Sequence, residues 1–149
     1  MTATNHVLTG ALIGAVIVTP VVALPLAFVS HFVLDALPHF TDKTLALNSR
    51  KFMVILGLDM LLALTVLVVI MVLQPAHWRL LLACGVFASA PDLMWLPLYI
   101  RGLYSIKAHP FNRIQRFHDG IQWSVSPQGI RIELAWFTGV LAILLGRYT

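Results

Sequence analysis

Histidine and acidic side chains lie inside or beside the apolar segments of this chain, where ionisable groups are costly. His31 and Asp35 are four residues apart, so a helix places both side chains on one face. His39 follows one turn later, after Pro38. An imidazole and a carboxylate at this spacing are typical of two metal ligands, or of one ligand and the group that orients it. The pair therefore predicts a functional site, with His39 as a candidate further ligand.

Other ionisable residues lie at a similar depth in the neighbouring apolar segments. His6 opens the first segment, Asp59 lies roughly 10 Å into the third, and Asp92 lies in the fourth. Glu133 begins the last segment, and His118 lies in the polar stretch before it. Because successive segments run in opposite directions, we expect these groups to meet in one layer. A divalent cation bound in that layer would offset the repulsion among the carboxylates.

The segments that position these groups have the composition of a membrane protein. Of the 149 residues, 59% are hydrophobic and 11% are charged, whereas about a quarter of the residues in soluble domains are charged. So few charges cannot build a water-facing surface, and lipid must cover much of the exterior. The sequence therefore predicts an all-α helix bundle that forms one integral membrane domain. Its hydrophobic segments are expected at residues 6–19, 22–37, 52–73, 79–100 and 131–146, the first two being short for a span of about 20 residues.

Basic residues lie mainly in the connections on one side of the expected bundle. The polar stretch 101–130 includes residues 112–117, where basic and apolar residues alternate as in a short interfacial helix. Lys and Arg mark the cytoplasmic side, so we expect the N-terminus inside and the C-terminus outside the inner (plasma) membrane. Arg79 and Arg147 lie on the outer side, whereas the cytoplasmic side holds Lys43, Arg50, Lys51, Arg101, Lys107, Arg113, Arg116 and Arg131.

The expected partners are membrane lipids rather than nucleic acid, because no basic stripe with interleaved aromatic residues is present. Cys84 is the one cysteine of the sequence, so no disulfide can form within the chain. Gly10 and Gly14 form a small-xxx-small surface. That surface would serve either packing within the chain or a homo-oligomer.

Three short elements carry a resemblance to a known family. They are TNHVLTG at residues 4–10, SHFVLD at 30–35 and PDLM at 91–94. Together they resemble the membrane-bound metal-dependent hydrolases of bacterial inner membranes, although Met94 stands where that family's element has a second acid. The resemblance implies a metal ion held by His6, His31, Asp35 and Asp92. His39 and His118 are the further candidate ligands.

The first function hypothesis is a metal-dependent hydrolase that acts at the cytoplasmic interface. Mixed histidine and aspartate ligation favours zinc, manganese or iron over magnesium. Such a metal would activate a bound water for attack on a phosphoryl or acyl centre, with Asp59 or Glu133 as the general base. A site roughly 10 Å deep under a basic interfacial helix suits an amphiphilic substrate with an anionic head, such as a lipid phosphoester.

Two alternative functions use the same residues. One is a non-enzymatic metal-binding or ion-transporting protein, although the almost purely apolar external half argues against a through-pore. The other is a haem-binding protein, which requires two histidines, such as His6 and His31, to face one another across the bundle. The haem hypothesis leaves the carboxylates without a function.

Overall fold

The predicted all-α fold is confirmed by the computed structural model, which describes residues 1–40, 49–103 and 111–148. In these ranges the one pairing of β type is an isolated bridge between His39 and Val125. Lys43 and Lys107, which were counted above for the orientation, lie outside the described residues. The α-helices are α1 (Ala3–Val16), α2 (Pro20–Ala36), α3 (Arg50–Leu73), α4 (Trp78–Ser89), α5 (Leu96–Leu103), α6 (Arg113–Ile121) and α7 (Ile130–Tyr148).

Within the described ranges, three helical stretches are long and apolar enough to cross a membrane. They are Arg50–Leu73, Trp78–Arg101 and Pro127–Tyr148, with 24, 24 and 22 residues. The second stretch joins α4 and α5 through the 3-10 segment Ala90–Trp95, and the third includes the 3-10 turn Pro127–Gly129. Large apolar side chains cover the outside of these stretches; Val72, for example, is 70% exposed. Such a surface is typical of helices that contact lipid.

Helix α1 forms the centre of the bundle. It packs against α2, α3, α4 and α7, and its apolar side chains are buried on nearly every side. Leu8 belongs to a buried cluster that also contains Leu81 of α4 and Leu144 of α7. Both α1 and α2 are short, with 14 and 17 residues, which correspond to lengths of about 21 Å and about 25 Å.

The crossing of α1 and α4 depends on small residues. Gly10 lies so close to α4 that an added Cβ would overlap the carbonyl group of Cys84. Gly14 makes the same kind of approach to Leu80 and Leu81. In this structure the small-xxx-small surface of α1 is therefore used for packing within the chain.

The substitution Gly10→Ala is expected to destabilise the fold by about 1–3 kcal/mol, because the added methyl group forces α1 and α4 apart. Thermal unfolding in detergent micelles, followed by circular dichroism, measures the effect. Gly57→Ala in α3 is the matched control, because an added Cβ there meets no atom within 4 Å. Helix propensity predicts that this control gains up to about 1 kcal/mol. Equal effects at the two positions would contradict the close α1–α4 contact.

Helix α6 is anchored across one end of the bundle. Its N-terminus has a capping box, in which the Asn112 side chain accepts from the Gln115 amide at 2.9 Å and the Gln115 side chain accepts in return at 3.1 Å. The Gln115 side chain also donates to the Met94 carbonyl at 3.2 Å. These bonds fix the rotation of α6, and His118, three residues after Gln115, is fully buried as a result.

Candidate metal centre

Four ionisable side chains meet where the C-terminal end of α2, the 3-10 segment Ala90–Trp95 and α6 converge. They are His31 and Asp35 of α2, Asp92 of the 3-10 segment and His118 of α6. Each offers one ligand atom, and these four atoms lie within 4.8 Å of one another. His31, Asp35 and His118 are fully buried, whereas the side chain of Asp92 is 30% exposed. The centre therefore has its open side at Asp92.

Asp35 is the most heavily contacted member of the centre. Its Oδ2 atom lies 2.9 Å from Nε2 of His118, 3.3 Å from Nε2 of His31 and 3.0 Å from the amide nitrogen of Gln122. Its Oδ1 atom lies 3.1 Å from Nε2 of His6 and also contacts the amino group of Met1. Donors from several sides hold this carboxylate in one orientation.

A chain of hydrogen bonds determines which nitrogen of each imidazole carries the proton. Nδ1 of His31 lies 2.8 Å from the carbonyl oxygen of Ala88 and must donate, because a carbonyl only accepts. The indole nitrogen of Trp95 donates to Nδ1 of His118 at 2.8 Å, so Nδ1 of a neutral His118 is unprotonated and Nε2 carries the proton. The 2.8 Å contact between the two Nε2 atoms is then a hydrogen bond from His118 to His31. The lone pair of His31 Nε2 therefore points into the centre, where it accepts this bond.

His6 borders the centre without belonging to the group of four. Its ring stacks on that of His31 with 4.0 Å between the ring centroids. Its Nε2 atom contacts Oδ1 of Asp35, whereas His118 contacts Oδ2. Its Nδ1 atom is buried and has no hydrogen-bond partner among the described residues, as is also true of Oδ1 of the neighbouring Asn5. The predicted ligand His6 thus contacts Asp35 and His31 of the centre without joining the group of four.

His39 is buried but lies apart from the centre. Its Nδ1 donates to the Leu37 carbonyl at 2.8 Å, and its own carbonyl accepts from the Ser126 amide at 3.1 Å. Gly129 packs so closely on the His39 backbone that no side chain fits there. These contacts fix the connection after α2 against the turn before α7. The structure therefore does not bring this predicted ligand together with the other four.

Acid is expected to destabilise the fold through His39, since burial lowers the pKa of its imidazole below the ordinary value of about 6.5. As the pH falls through about 6.5, the unfolded chain takes up the proton first, and the free energy of unfolding decreases. The decrease is at most about 1.4 kcal/mol per pH unit and stops below the pKa of the folded state. In His39→Gln the melting temperature should fall less steeply than in the wild type between about pH 7.5 and about pH 5.

The matched control for this measurement is His77→Asn. His77 is exposed at the turn before α4 and has φ 60°, a conformation that asparagine tolerates. This variant should keep the pH dependence of the wild type. An unchanged pH dependence in His39→Gln would contradict the assignment to His39.

The carboxylate of Asp59, a predicted general base, caps the N-terminus of α1. It accepts from the Ala3 amide at 2.8 Å and from the Thr4 amide at 3.1 Å. It also accepts from the Thr4 hydroxyl at 2.7 Å. The first amides of a helix lack partners within the helix, and Thr2 at the N-cap position makes no side-chain cap. Asp59 therefore supplies from α3 the acceptor that the local sequence lacks.

Glu133, the other predicted base, holds the same end of α1 from α7. Its carboxylate accepts from the Thr2 amide at 3.1 Å, the Asn5 side chain at 3.2 Å and the Phe40 amide at 3.0 Å. The residue is only 2% exposed. Neither Asp59 nor Glu133 belongs to the group of four, and both are occupied by amide donors.

Three contacts of the centre escape sequence reasoning. Nothing distinguishes Trp95 from the other aromatic residues of the sequence except its position. It lies three residues after Asp92, which places the two side chains near one helical face. Gln122 and the carbonyl of Ala88 give no signal in the sequence, because the fold alone brings them to Asp35 and His31.

Comparison of the chain with protein-family models, curated proteins and solved structures gives no match. Function is therefore inferred from the geometry of the site.

Proposed function

We propose that this chain is an integral membrane protein that binds a divalent metal ion through His31, Asp35 and Asp92 and hydrolyses a lipid-like phosphoester. The observation that carries the proposal is the convergence of four ligand atoms within 4.8 Å of one another, three of them on fully buried residues. Charged and imidazole groups in an apolar bundle are costly unless they bind something. Two aspartates and histidine nitrogen form a ligand set that suits zinc, manganese or iron.

The second contact of His31 supports its assignment as a ligand. Metal-binding histidines usually donate their other ring N–H to a carbonyl or carboxylate, which fixes the tautomer and the ring orientation. Nδ1 of His31 donates in this way to the Ala88 carbonyl, which is available because α4 ends at Ser89. Nε2 of His31 is thereby left unprotonated, and a cation would replace the bond that this nitrogen accepts from His118.

His118, predicted from the sequence as a ligand, is better suited to donate a hydrogen bond. The bond from Trp95 leaves the proton on Nε2 of His118, and a protonated nitrogen does not bind a metal. This N–H points at Asp35 and at the space beside His31. In the proposed reaction it orients Asp35 and stabilises negative charge on an oxygen of the substrate.

The metal supplies Lewis acidity and an activated water when bound. The residues of the chain hold the cation, exclude bulk water on the side of α1 and admit substrate beside Asp92. Access from that side agrees with the partial exposure of the Asp92 side chain. A lipid ester can be hydrolysed here only if the headgroup of the lipid reaches the end of the bundle that contains the centre.

The charges around the centre support the proposed orientation in the membrane. Arg113, Arg116 and Arg131 are exposed near α6 and the start of α7, whereas Arg79 and Arg147 lie near the other ends of α4 and α7. Arginine at the centre's end favours a cytoplasmic orientation and attracts anionic headgroups. Helix α6 exposes Ile114 and Phe117 on its surface, as an interfacial helix does.

Metal binding without catalysis is the second candidate function. It is favoured because the two predicted general bases, Asp59 and Glu133, already accept hydrogen bonds from amides at the start of α1. A haem site between His6 and His31 is disfavoured, because the rings stack at 4.0 Å and leave no gap for an iron atom.

Metal analysis and ester hydrolysis by the purified protein test the proposal together. Protein in detergent is stripped with a chelator, dialysed against zinc or manganese, and analysed for bound metal. We expect one metal ion per chain and a raised melting temperature. At 100 times the Kd the stabilisation is about 2.7 kcal/mol. Turnover of phospholipids and model phosphoesters by the loaded protein supports the hydrolase, whereas stoichiometric binding without turnover supports the second candidate.

A further inference from the structure

We propose that Trp95 is a positioning residue that prevents His118 from binding the metal and so limits the centre to three protein ligands. Those ligands are His31, Asp35 and Asp92. The inference rests on the proposed function and deepens it, because a catalytic zinc site keeps one position open for water or substrate, whereas a structural site has four protein ligands. All four ligand atoms are close enough to share one ion. Distance therefore does not exclude His118, and its hydrogen bonds must do so.

The two histidines of the centre differ in the group that faces Nδ1. Nδ1 of His31 faces the Ala88 carbonyl at 2.8 Å, which is an acceptor, so the proton lies on Nδ1 and the lone pair on Nε2. Nδ1 of His118 faces the indole N–H of Trp95 at 2.8 Å, which is a donor, so the proton lies on Nε2. Metal-binding histidines usually donate their other N–H to a carbonyl or carboxylate. His31 has this arrangement, and His118 has the reverse one.

Metal binding by His118 requires its bond with Trp95 to break. If Nε2 bound the metal, the proton of the neutral ring would lie on Nδ1 and would face the indole N–H across 2.8 Å. Two donors at that distance repel, and both residues are buried, so neither donor has water as an alternative acceptor. With the proton on Nε2, in contrast, His118 contacts Asp35 as a donor at 2.9 Å. The two bonds of the ring therefore favour His118 as a donor to Asp35 over His118 as a ligand.

Aromatic packing holds the rings of Trp95 and His118 in this relation. Phe111 packs edge-on against the Trp95 ring with 5.3 Å between the ring centroids. Phe32 packs nearly perpendicular to the His118 ring at 5.8 Å. A flip of the imidazole would exchange each nitrogen for a carbon and would break the bonds to Trp95 and Asp35 together. The orientation of His118 is therefore fixed through both of its nitrogens.

Heteronuclear NMR of protein with isotope-labelled histidine, in detergent and without metal, tests the assignment first. The wild type should show His118 with its proton on Nε2 and His31 with its proton on Nδ1. In Trp95→Phe the Nδ1 signal of His118 should move to the position of a nitrogen that accepts no hydrogen bond. Trp136→Phe is the matched control, because that indole donates to the Thr9 hydroxyl at the same 2.8 Å but lies outside the group of four. A wild-type His118 with its proton on Nδ1 would overturn the proposal even if no variant folded.

Cobalt(II) in place of zinc then counts the imidazoles that bind the metal. Each bound histidine gives one strongly shifted ring N–H signal in the proton NMR spectrum of the cobalt-loaded protein. We expect one such signal, from His31, in the wild type and in Trp136→Phe, and two in Trp95→Phe. The second signal should be absent from the double variant Trp95→Phe/His118→Gln.

Metal affinity and turnover should change in opposite directions in Trp95→Phe. We expect the affinity for zinc to rise by about 10-fold, since groups bonded to metal ligands change affinity by about 10- to 100-fold. Turnover of a phosphoester should fall, because the added imidazole fills the open position. A variant with a merely disturbed structure would lose both affinity and turnover.

The outcomes separate this inference from the proposed function. Two shifted signals in the cobalt-loaded wild type, or one in cobalt-loaded Trp95→Phe, would overturn the inference and leave the metal site in place. A wild type that binds no metal would reject the proposed function and the number of ligands together. One shifted signal in the wild type and two in Trp95→Phe, without ester turnover by either, would support the role of Trp95 and reject the hydrolase.

Discussion

Asp35→Asn is expected to weaken metal binding by at least about 100-fold, because even residues that only orient metal ligands contribute 10- to 100-fold. Asparagine has nearly the same shape but lacks the charge that attracts a cation. Oδ1 of Asp35 contacts His6, and Oδ2 contacts His118 and Gln122. Asparagine has one oxygen in place of two, so the variant also loses hydrogen bonds. Equilibrium dialysis against zinc or manganese, with metal analysis of the protein, measures the loss.

A second variant separates loss of the ligand from loss of the fold. Asp92 is half-buried at the open side, where its carboxylate lies 3.7 Å from Nε2 of His31. Asp92→Asn should therefore retain the melting temperature of the metal-free wild type and still weaken metal binding. Asp119→Asn is the control, because Asp119 is exposed on α6 next to His118. Wild-type metal affinity in both Asp35→Asn and Asp92→Asn would remove the basis of the proposed centre.

Asp59→Leu is expected to destabilise the fold by several kcal/mol, although it makes an apolar helix more apolar. On hydropathy alone, the removal of a charge from the middle of a membrane helix should be favourable by about 2.5–3.5 kcal/mol. The structure predicts the opposite sign. The amides of Ala3 and Thr4 lose their acceptor, and each unpaired buried donor costs about 1–3 kcal/mol. The Thr4 hydroxyl keeps the backbone carbonyl of residue 59 as an acceptor at 3.1 Å.

Thr65→Leu on the same helix is the matched control for this change. The Thr65 hydroxyl donates to the Leu61 carbonyl of its own helix and is exposed on the outer surface. Its replacement by leucine should be neutral or slightly stabilising. Thermal unfolding of both variants in the same detergent measures the difference. If Asp59→Leu proves as stable as Thr65→Leu, the cap on α1 contributes little, and Asp59 is again available for a catalytic role.

The fold class and part of the centre could be read from the sequence for identifiable reasons. The all-α bundle follows from composition, because few charges and long apolar runs permit little else. His31 and Asp35 are brought together by one helix, so their spacing was sufficient to pair them. His118 lies 87 residues from His31, and the anchoring of α6 that buries it involves Gln115 and Met94. Local spacing holds no information about such a contact.

Depth along the helices predicted the layer of polar groups but not the direction of each side chain. Asp59 and Glu133 lie in the polar layer, yet their carboxylates point at the start of α1 rather than at Asp35. A helix whose first residues, Ala3 and Thr4, have no local capping side chain requires acceptors from elsewhere. This requirement follows from the sequence once the start of the helix is known. The hydropathy pattern placed that start near His6, whereas α1 begins at Ala3.

The dependence of α1 on two distant carboxylates bears on how the protein is made. Glu133 accepts from the Thr2 amide across 131 positions of the chain, so this acceptor does not exist until long after the ribosome has made α1. Until then the amides at the start of α1 have to be hydrated at the interface, because hydrocarbon offers them no acceptor. The insertion of α1 and α2 and the pairing of the amides at the start of α1 are consequently separate events in biogenesis. A chain that ends before α7 would carry a first helix whose Thr2 amide lacks this acceptor.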